Sequence, residues 1–260
     1  MRVLVTGASR GIGAAICTRL ARSGAQIAMC GGSRLPELKL AAREVVAAGG
    51  KAHVIQGDLA DPSVPAQLVG SAVAEMGGLD AIVSNAGIIC PGKLVETKVE
   101  DWDRIHAVNV RAPWLLAQAA YAHLLPARGC MVVVASISGM HPYAGSGAYS
   151  TSKAALLMLV RQLAQEWAAD GLRVNAVSPG MVRTPLTEPI YARDDLRRQR
   201  EALVPMHRIG TPEDIAGIVE LLLSPATSYM TGQNVAVDGG VGDAIHGLFS
   251  GRADTGASTT

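Results

Sequence analysis

Charge is scarce in this 260-residue chain. Asp, Glu, Lys and Arg make up 17% of it against 49% hydrophobic residues, and the formal net charge is only +1. That balance gives no global electrostatic reason to bind nucleic acid. The densest basic stretch, 193–200, carries Asp194 and Asp195 within it and reads as a solvated helix face. A chain so poor in charge suits a protein that buries further surface against copies of itself, so a homo-oligomer is expected. Cysteine is sparse as well. The four at 17, 30, 90 and 130 form no Cys-x-x-Cys pair and no zinc-type spacing with histidine, which predicts reduced, mostly buried thiols. There is no His-Glu-x-x-His and no carboxylate cluster, so no metal is expected. Long apolar runs are missing too. Thr6 and Gly7 cut off the first one short of a signal-peptide core, and none approaches the roughly 18 residues of a membrane span. A cytoplasmic protein with no membrane partner is expected. No linker divides the first 240 residues, which favours one domain over 1–250 with a sizeable core. Residues 251–260, rich in Gly, Ala, Ser and Thr, are expected to be disordered.

Short apolar runs alternate with helical-period segments from the start of the chain, the pattern of a parallel sheet covered by helices on both faces. Seven strands are expected at 3–6, 26–30, 52–56, 81–84, 131–135, 173–177 and 234–237, giving a doubly wound α/β fold. Ile12, Ile16 and Leu20 recur at four-residue spacing, one stripe facing the sheet. Two long helices are expected at 101–125 and 148–170, both more apolar than one sheet-facing stripe needs. Prolines 185, 189 and 205 surround a charged segment at 182–210, read as a mobile lid over a substrate.

Gly7, Gly11 and Gly13 lie between the first strand and the first helix. There glycine permits a tight turn and lets backbone approach a pyrophosphate at the positive helix terminus. The spacing departs from the Gly-x-Gly-x-x-Gly dinucleotide fingerprint, and glycines alone also serve as turn punctuation. Gly7-Ala8-Ser9-Arg10-Gly11 also satisfies the Gly-x-Ser-x-Gly nucleophile elbow, so a serine hydrolase using Ser9 is a rival. It fits less well, because that fold takes part of its oxyanion hole from an earlier strand and loop. About 20 residues beyond the glycines, where NAD enzymes place an acidic residue for the ribose 2′-hydroxyl, the chain reads Cys30-Gly31-Gly32-Ser33-Arg34. With no carboxylate in that run and with Arg10, Ser33 and Arg34 available to a 2′-phosphate, NADP is favoured, NAD remaining possible. Arg34 reads equally as a solvated first-turn residue.

Tyr149 and Lys153 are four residues apart, one turn above each other on one helix face, thirteen residues after Ser136. A cation beside a phenol favours its ionised form and is expected to lower the Tyr149 pKa toward the range useful for proton transfer. Tyr-x-x-x-Lys alone is as commonly a packed ring beside a solvated amine. Its company gives it weight: Ser136 at the end of an apolar strand, the glycine-rich first turn, and Asn109 between them.

These motifs, with Asp58-Leu59, Ser84-Asn85-Ala86-Gly87 and Ser178-Pro179-Gly180, stand in the order of the short-chain dehydrogenase/reductase family. The chain resembles that family in its single-domain form over about residues 1–240. The resemblance implies a Rossmann-like fold and a tetrad of Asn109, Ser136, Tyr149 and Lys153. In it Tyr149 is the general acid/base, Lys153 holds the nicotinamide ribose, Ser136 bonds the substrate oxygen, and Asn109 binds a water linking Lys153 to solvent. It implies cofactor contacts from Gly7, Ser9, Arg10, Gly11, Ile12 and Gly13, from Asp58 and Leu59 at the adenine, and from Asn85, Ala86 and Gly87. Pro179, Gly180, Val182 and Thr184 are implied to close over the nicotinamide. Substrate contacts are expected from His141, Tyr143, Ser146 and Met181, with Cys90 in the wall. The two long helices are implied to form a subunit interface of a tetramer. Carbonyl reduction or alcohol oxidation is the implied chemistry, on a small-molecule carbonyl or alcohol. The Tyr to Lys interval is shorter than in the family's enoyl reductases. A sugar, polyol or alcohol dehydrogenase using NAD, and a nucleotide-binding regulator without chemistry, are the other readings.

Overall fold

A computed structural model describes residues 1–248; the tail at 251–260 lies outside the described residues. The strands are β1 (Arg2–Thr6), β2 (Gln26–Gly31), β3 (Lys51–Gln56), β4 (Ala81–Ser84), β5 (Cys130–Val134), β6 (Arg173–Pro179) and β7 (Asn234–Val237). Each falls within two residues of its expected limits. The helices are α1 (Gly11–Ala21), α2 (Leu35–Ala47), α3 (Val64–Met76), α4 (Val99–His106), α5 (Ala112–Leu124), α6 (Tyr149–Trp167), α7 (Glu188–Tyr191), α8 (Asp194–Leu203) and α9 (Pro212–Leu223).

The sheet is parallel throughout, in the order β3-β2-β1-β4-β5-β6-β7. Alternation along each strand splits the core into two layers. In β1, Val3 and Val5 pack with α1, α2 and α9, while Leu4 packs with α3, α5 and α6 on the other face. Ile16 and Leu20 are fully buried in the first layer, with Ile12 half-buried against it, as the stripe requires. The strand order reverses between β1 and β4, which opens a crevice at their carboxyl ends, the place where open α/β sheets bind ligands.

The expected helix at 101–125 is broken. Between α4 and α5 lies one π-helical turn, Ala107–Arg111, in which the Ala112 amide reaches back to the Ala107 carbonyl. Pro113, in the first turn of α5, has no N–H to give the Asn109 carbonyl, and so removes one rung of a regular helix at the widened turn. The other long helix holds, with α6 followed by a single 3₁₀ turn, Ala168–Asp170, that Gly171 closes at φ +75°. Region 182–210 contains α7 and α8, and its ends meet where Val182 bridges Gly210. The basic stretch is the solvated face expected, with Arg193 paired to Asp195 and Arg197 to Asp194 and Glu201.

One buried side chain ties the crossover together. The Thr6 hydroxyl, inaccessible to solvent, accepts from the backbone amides of Asn85 and Ala86, each at 3.1 Å. Thr6→Val keeps the shape and strands both donors, so unfolding in urea should show a loss of about 2–4 kcal/mol.

Candidate active site

Contact excludes a side chain at Gly7 and Gly13, and a positive φ disfavours one at Gly11. Gly7 sits at φ +64°, and a Cβ there would lie 2.8 Å from Asn85 Nδ2. A Cβ on Gly13 would lie 2.6 Å from the same atom. Asn85 Nδ2 donates to the carbonyls of Thr6 at 3.0 Å and Gly7 at 3.1 Å, holding the loop against the end of β4. Gly11, at φ +57°, faces Thr184, whose Cβ would be 3.5 Å from an added Cβ, so the 182–210 segment begins directly over the glycine turn. The first-turn amides of α1 receive no side-chain cap and remain available to an anion. Ser9 and Arg10, in the turn ahead of α1, are half-buried. A cradle with no room for side chains, opening onto free helix amides at the strand crossover, fits a dinucleotide diphosphate.

Beyond the cradle, the Ala8 amide donates to the Cys30 carbonyl at 3.0 Å and joins the glycine turn to the end of β2. Ser33 and Arg34 follow there, both exposed. Arg34 is not free: its Nη1 lies 3.4 Å from Glu37 Oε1. At the end of β3, the Asp58 carboxylate accepts from the Ala60 amide at 3.0 Å and faces Arg104 at 3.5 Å, while Leu59 packs against the second core layer.

The tetrad suggested by the sequence is brought together at the neighbouring strand ends. Ser136 leaves β5 in extended conformation, and its Oγ accepts from the Ser138 amide at 3.1 Å. Tyr149 opens α6, and Lys153 Nζ lies 5.7 Å from the centre of its ring. Lys153 is 3% exposed, and its Nζ donates to the Val134 carbonyl at 3.0 Å. The helix backbone at Lys153 lies against Gly139, where a Cβ would stand 2.8 Å from the Lys153 carbonyl. Gly87 is exposed, and a Cβ on it would be 3.4 Å from both Lys153 Nζ and Asn109 Oδ1, so the amine and the amide oxygen both lie beside it.

Asn109, fully buried in the π turn, accepts from the Ile88 amide at 2.9 Å. It donates to the Ile88 carbonyl at 2.9 Å and to Ser152 Oγ at 3.0 Å. Ser152 in turn donates to the Tyr149 carbonyl at 2.7 Å. The side-chain amide therefore locks the loop after β4 to the first turn of α6. Sequence reasoning does not single out Ser152 or Ile88. The signal available is weak: a polar residue beside Lys153 on the inward side of the helix.

The charge states differ from the sequence expectation. Burial raises the Tyr149 hydroxyl above its ordinary value, and the facing Ser136 hydroxyl opposes that shift; Lys153 does not turn it downward. Burial pushes Lys153 itself down to about 8. Desolvation of the ring dominates, while the ammonium donates one hydrogen bond to Val134 and stands 5.7 Å from the ring centre.

His141 and Tyr143 are exposed, but Ser146 is not on a rim with them. It is 2% exposed, and its hydroxyl pairs with Ser150 at 3.0 Å at the start of α6. Cys90 lies close by, its carbonyl 2.5 Å from where a Cβ on Gly147 would be. The other three thiols are buried. Gly180 follows β6 against Asp238, another contact unread in the sequence: a Cβ there would meet the Asp238 Cα at 2.6 Å. The Met181 carbonyl accepts from Gly210 at 2.9 Å, and the Thr184 amide donates to Thr187 Oγ1 at 2.9 Å. Among the described residues no group of His, Cys, Asp and Glu is placed to hold a metal ion, and no helix is long and apolar enough to cross a membrane.

A family model described as enoyl-(acyl carrier protein) reductase matches residues 7–242. An uncharacterized oxidoreductase of Mycobacterium tuberculosis is 38% identical over 240 residues, covering 92% of this chain and 90% of that protein. A crystal structure of a putative NAD(P)-dependent gluconate 5-dehydrogenase from Beutenbergia cavernae, with NADP bound at low occupancy, superposes with a TM-score of 0.86 at 37% identity, covering 92% and 96% of the two chains. A short-chain type dehydrogenase/reductase from Mycobacterium marinum gives a TM-score of 0.85 at 36% identity, with coverage of 92% and 94%. The chain belongs to the short-chain dehydrogenase/reductase family of oxidoreductases, as a single-domain member.

Two stability effects follow from the buried groups. Ser152→Ala leaves one Asn109 donor without a partner, and should cost about 1–3 kcal/mol in denaturant unfolding. Lys153 binds its proton less well folded than unfolded, so the unfolded chain carries more protons between pH 8 and 10.5 and stability rises with pH across that window. Holding the charge below pH 8 costs roughly 3 kcal/mol. Lys153→Met should therefore stabilise the free protein at pH 7 by about 1–3 kcal/mol, with a gain that shrinks toward pH 9.5.

Proposed function

We propose that the protein is an NADP(H)-dependent reductase of ketones or other carbonyl compounds, with Tyr149 as the acid that protonates the substrate oxygen. The observation that carries this reading is the meeting of Tyr149, Ser136 and the buried Lys153 beside a glycine cradle with no room for side chains. The diphosphate would lie on Gly7, Ser9, Arg10, Gly11, Ile12 and Gly13. The adenosine would lie by Asp58 and Leu59 with its 2′-phosphate toward Ser33 and Arg34, and the nicotinamide half by Asn85, Ala86 and Gly87 under Pro179, Gly180, Val182 and Thr184. The nicotinamide supplies the hydride to the substrate carbon, or takes it up in the reverse direction.

The protein's own groups handle the oxygen and its proton. A raised tyrosine is still protonated at neutral pH, which suits a donor. Ser136 Oγ hydrogen-bonds to the same oxygen as charge develops there. As the proton leaves Tyr149, the tyrosinate forms near the Lys153 cation, whose attraction acts in that state rather than in the resting one. Lys153 also reaches the floor at Gly87, where it would hold the nicotinamide ribose. Asn109 fixes the turn on which both residues stand, and its Oδ1 by Gly87 offers an acceptor for the water expected between Lys153 and solvent. His141, Tyr143 and Met181, with Cys90 behind them, would wall the substrate, and residues 182–210 would act as its lid. The four-residue interval from Tyr149 to Lys153 favours carbonyl over enoyl substrates.

A homo-oligomer, a tetramer by family resemblance, is part of this proposal. A groove of about 680 Å³ between α5 and α6, away from the crevice, is lined by Trp114, Leu159 and Leu163, and Trp114 and Met158 are exposed on those helices. A carboxylate beside Arg34 at the start of α2, Glu37, favours a second reading as an NAD-dependent sugar, polyol or alcohol dehydrogenase.

Titration with NADPH and NADH, followed by nicotinamide fluorescence, should show tighter NADPH binding, and a ketone panel should then show turnover. Tyr149→Phe should lower kcat/KM at least a hundredfold while NADPH affinity stays within threefold. Near-normal turnover by that variant would overturn the role given to Tyr149.

A further inference from the structure

The end of β2 carries a charge that its loop sequence does not show. Between Gly31 and Arg34 there is no acidic residue, yet Glu37, in the first turn of α2, brings a carboxylate back to Arg34, with Oε1 3.4 Å from Nη1. Arg34 is also the residue just before α2, so a side chain three positions on stands over the same turn. The Ala8 to Cys30 hydrogen bond brings the glycine turn, and Arg10 with it, to this end of the sheet. Glu37 is held below its ordinary value first by its own backbone amide, then by Arg34 and Arg10, so it is ionised at neutral pH and feels both guanidinium groups. Gly32, exposed between Gly31 and Arg34, would put an added Cβ only in ordinary contact with the Gly57 carbonyl oxygen, at 3.9 Å.

We propose that Glu37 is a specificity-determining residue that restrains the binding of a 2′-phosphate by neutralising Arg34 and by repelling the phosphate itself. The inference rests on the reading of this crevice as a dinucleotide site. A contact as long and exposed as Arg34–Glu37 is easily exchanged, so a phosphate dianion can take Arg34 for itself. The displaced carboxylate then stays within the reach of one helical turn and opposes the dianion, whereas a 2′-hydroxyl meets no such penalty. The carboxylate therefore narrows the preference for the 2′-phosphate without removing it.

The test uses nucleotide fragments that carry only this end of the cofactor, 2′,5′-ADP and 5′-AMP, titrated by calorimetry into the wild type, Glu37→Gln and Arg34→Ala at low salt. Glu37→Gln should tighten 2′,5′-ADP about fivefold and leave 5′-AMP within twofold, with the gain shrinking at 0.5 M salt. Arg34→Ala should weaken 2′,5′-ADP alone. Unchanged or weaker 2′,5′-ADP binding by Glu37→Gln, or an equal gain for 5′-AMP, would overturn the proposal. Failure of the wild type to bind either fragment, NADPH or NADH would instead remove the dinucleotide reading on which it stands. A thermal melt of each variant confirms that it is folded.

Discussion

An amine with almost no access to water sits at the centre of this structure, and much of the crevice is arranged around it. Lys153 reaches the Val134 carbonyl at the end of β5, lies beneath Gly87 at the end of β4, and has its own backbone pressed on Gly139. A buried cation without partners is expelled from a protein interior or gives up its proton. Here one carbonyl and one nearby amide oxygen are provided, and burial still moves its pKa to about 8. The amine is thus held incompletely satisfied, next to an opening, at the strand crossover. A ligand bringing hydroxyl oxygens to that opening completes its hydrogen bonds, which is a physical reason for such a group to be kept where it weakens the free protein.

The surrounding polar groups meet the opposite condition. Both Asn109 amide protons are used, by Ile88 and Ser152, its oxygen accepts from Ile88, and Ser152 passes the connection to the Tyr149 carbonyl. Satisfied buried networks of this kind fix one arrangement against its alternatives. The π turn follows from the same demand. A regular helix through 101–125 would not accommodate Pro113 four residues after Asn109, and the widened turn sets Asn109 inward with its amide facing the loop after β4. The rigid network thus backs the tyrosine, and the unmet hydrogen-bonding capacity faces the opening of the crevice.

The strands are legible in the sequence because a parallel sheet buried on both faces needs short unbroken apolar runs, and the chain supplies seven. The glycine turn is legible because only glycine tolerates both the positive φ of Gly7 and the approach of Asn85. Ser136, Tyr149 and Lys153 stand out through their spacing taken together with the glycine turn and the family resemblance those motifs carry. What is not legible depends on which neighbour a polar group finds in three dimensions. Sequence position groups Ser146 with His141 and Tyr143 on the rim, but a partner at Ser150 takes its hydroxyl inward. Glu37 escapes any search for a carboxylate that stops at the strand end, whereas one helical turn is enough to bring it back.

The direction of the Tyr149 shift shows why a motif does not fix a charge state. Spacing puts Lys153 beside the ring, and from that alone a lowered pKa follows. Geometry puts the ring half in the interior and turns the ammonium toward Val134, and a phenolate there would be poorly solvated. In the proposed reaction this is an advantage in the reducing direction. The proton is present at rest, and the lysine stabilises the phenolate only once the proton has gone to the substrate oxygen. Attraction to the ionised form that appears late in the step lowers the barrier more than the same attraction spent on a tyrosinate already formed in the free protein.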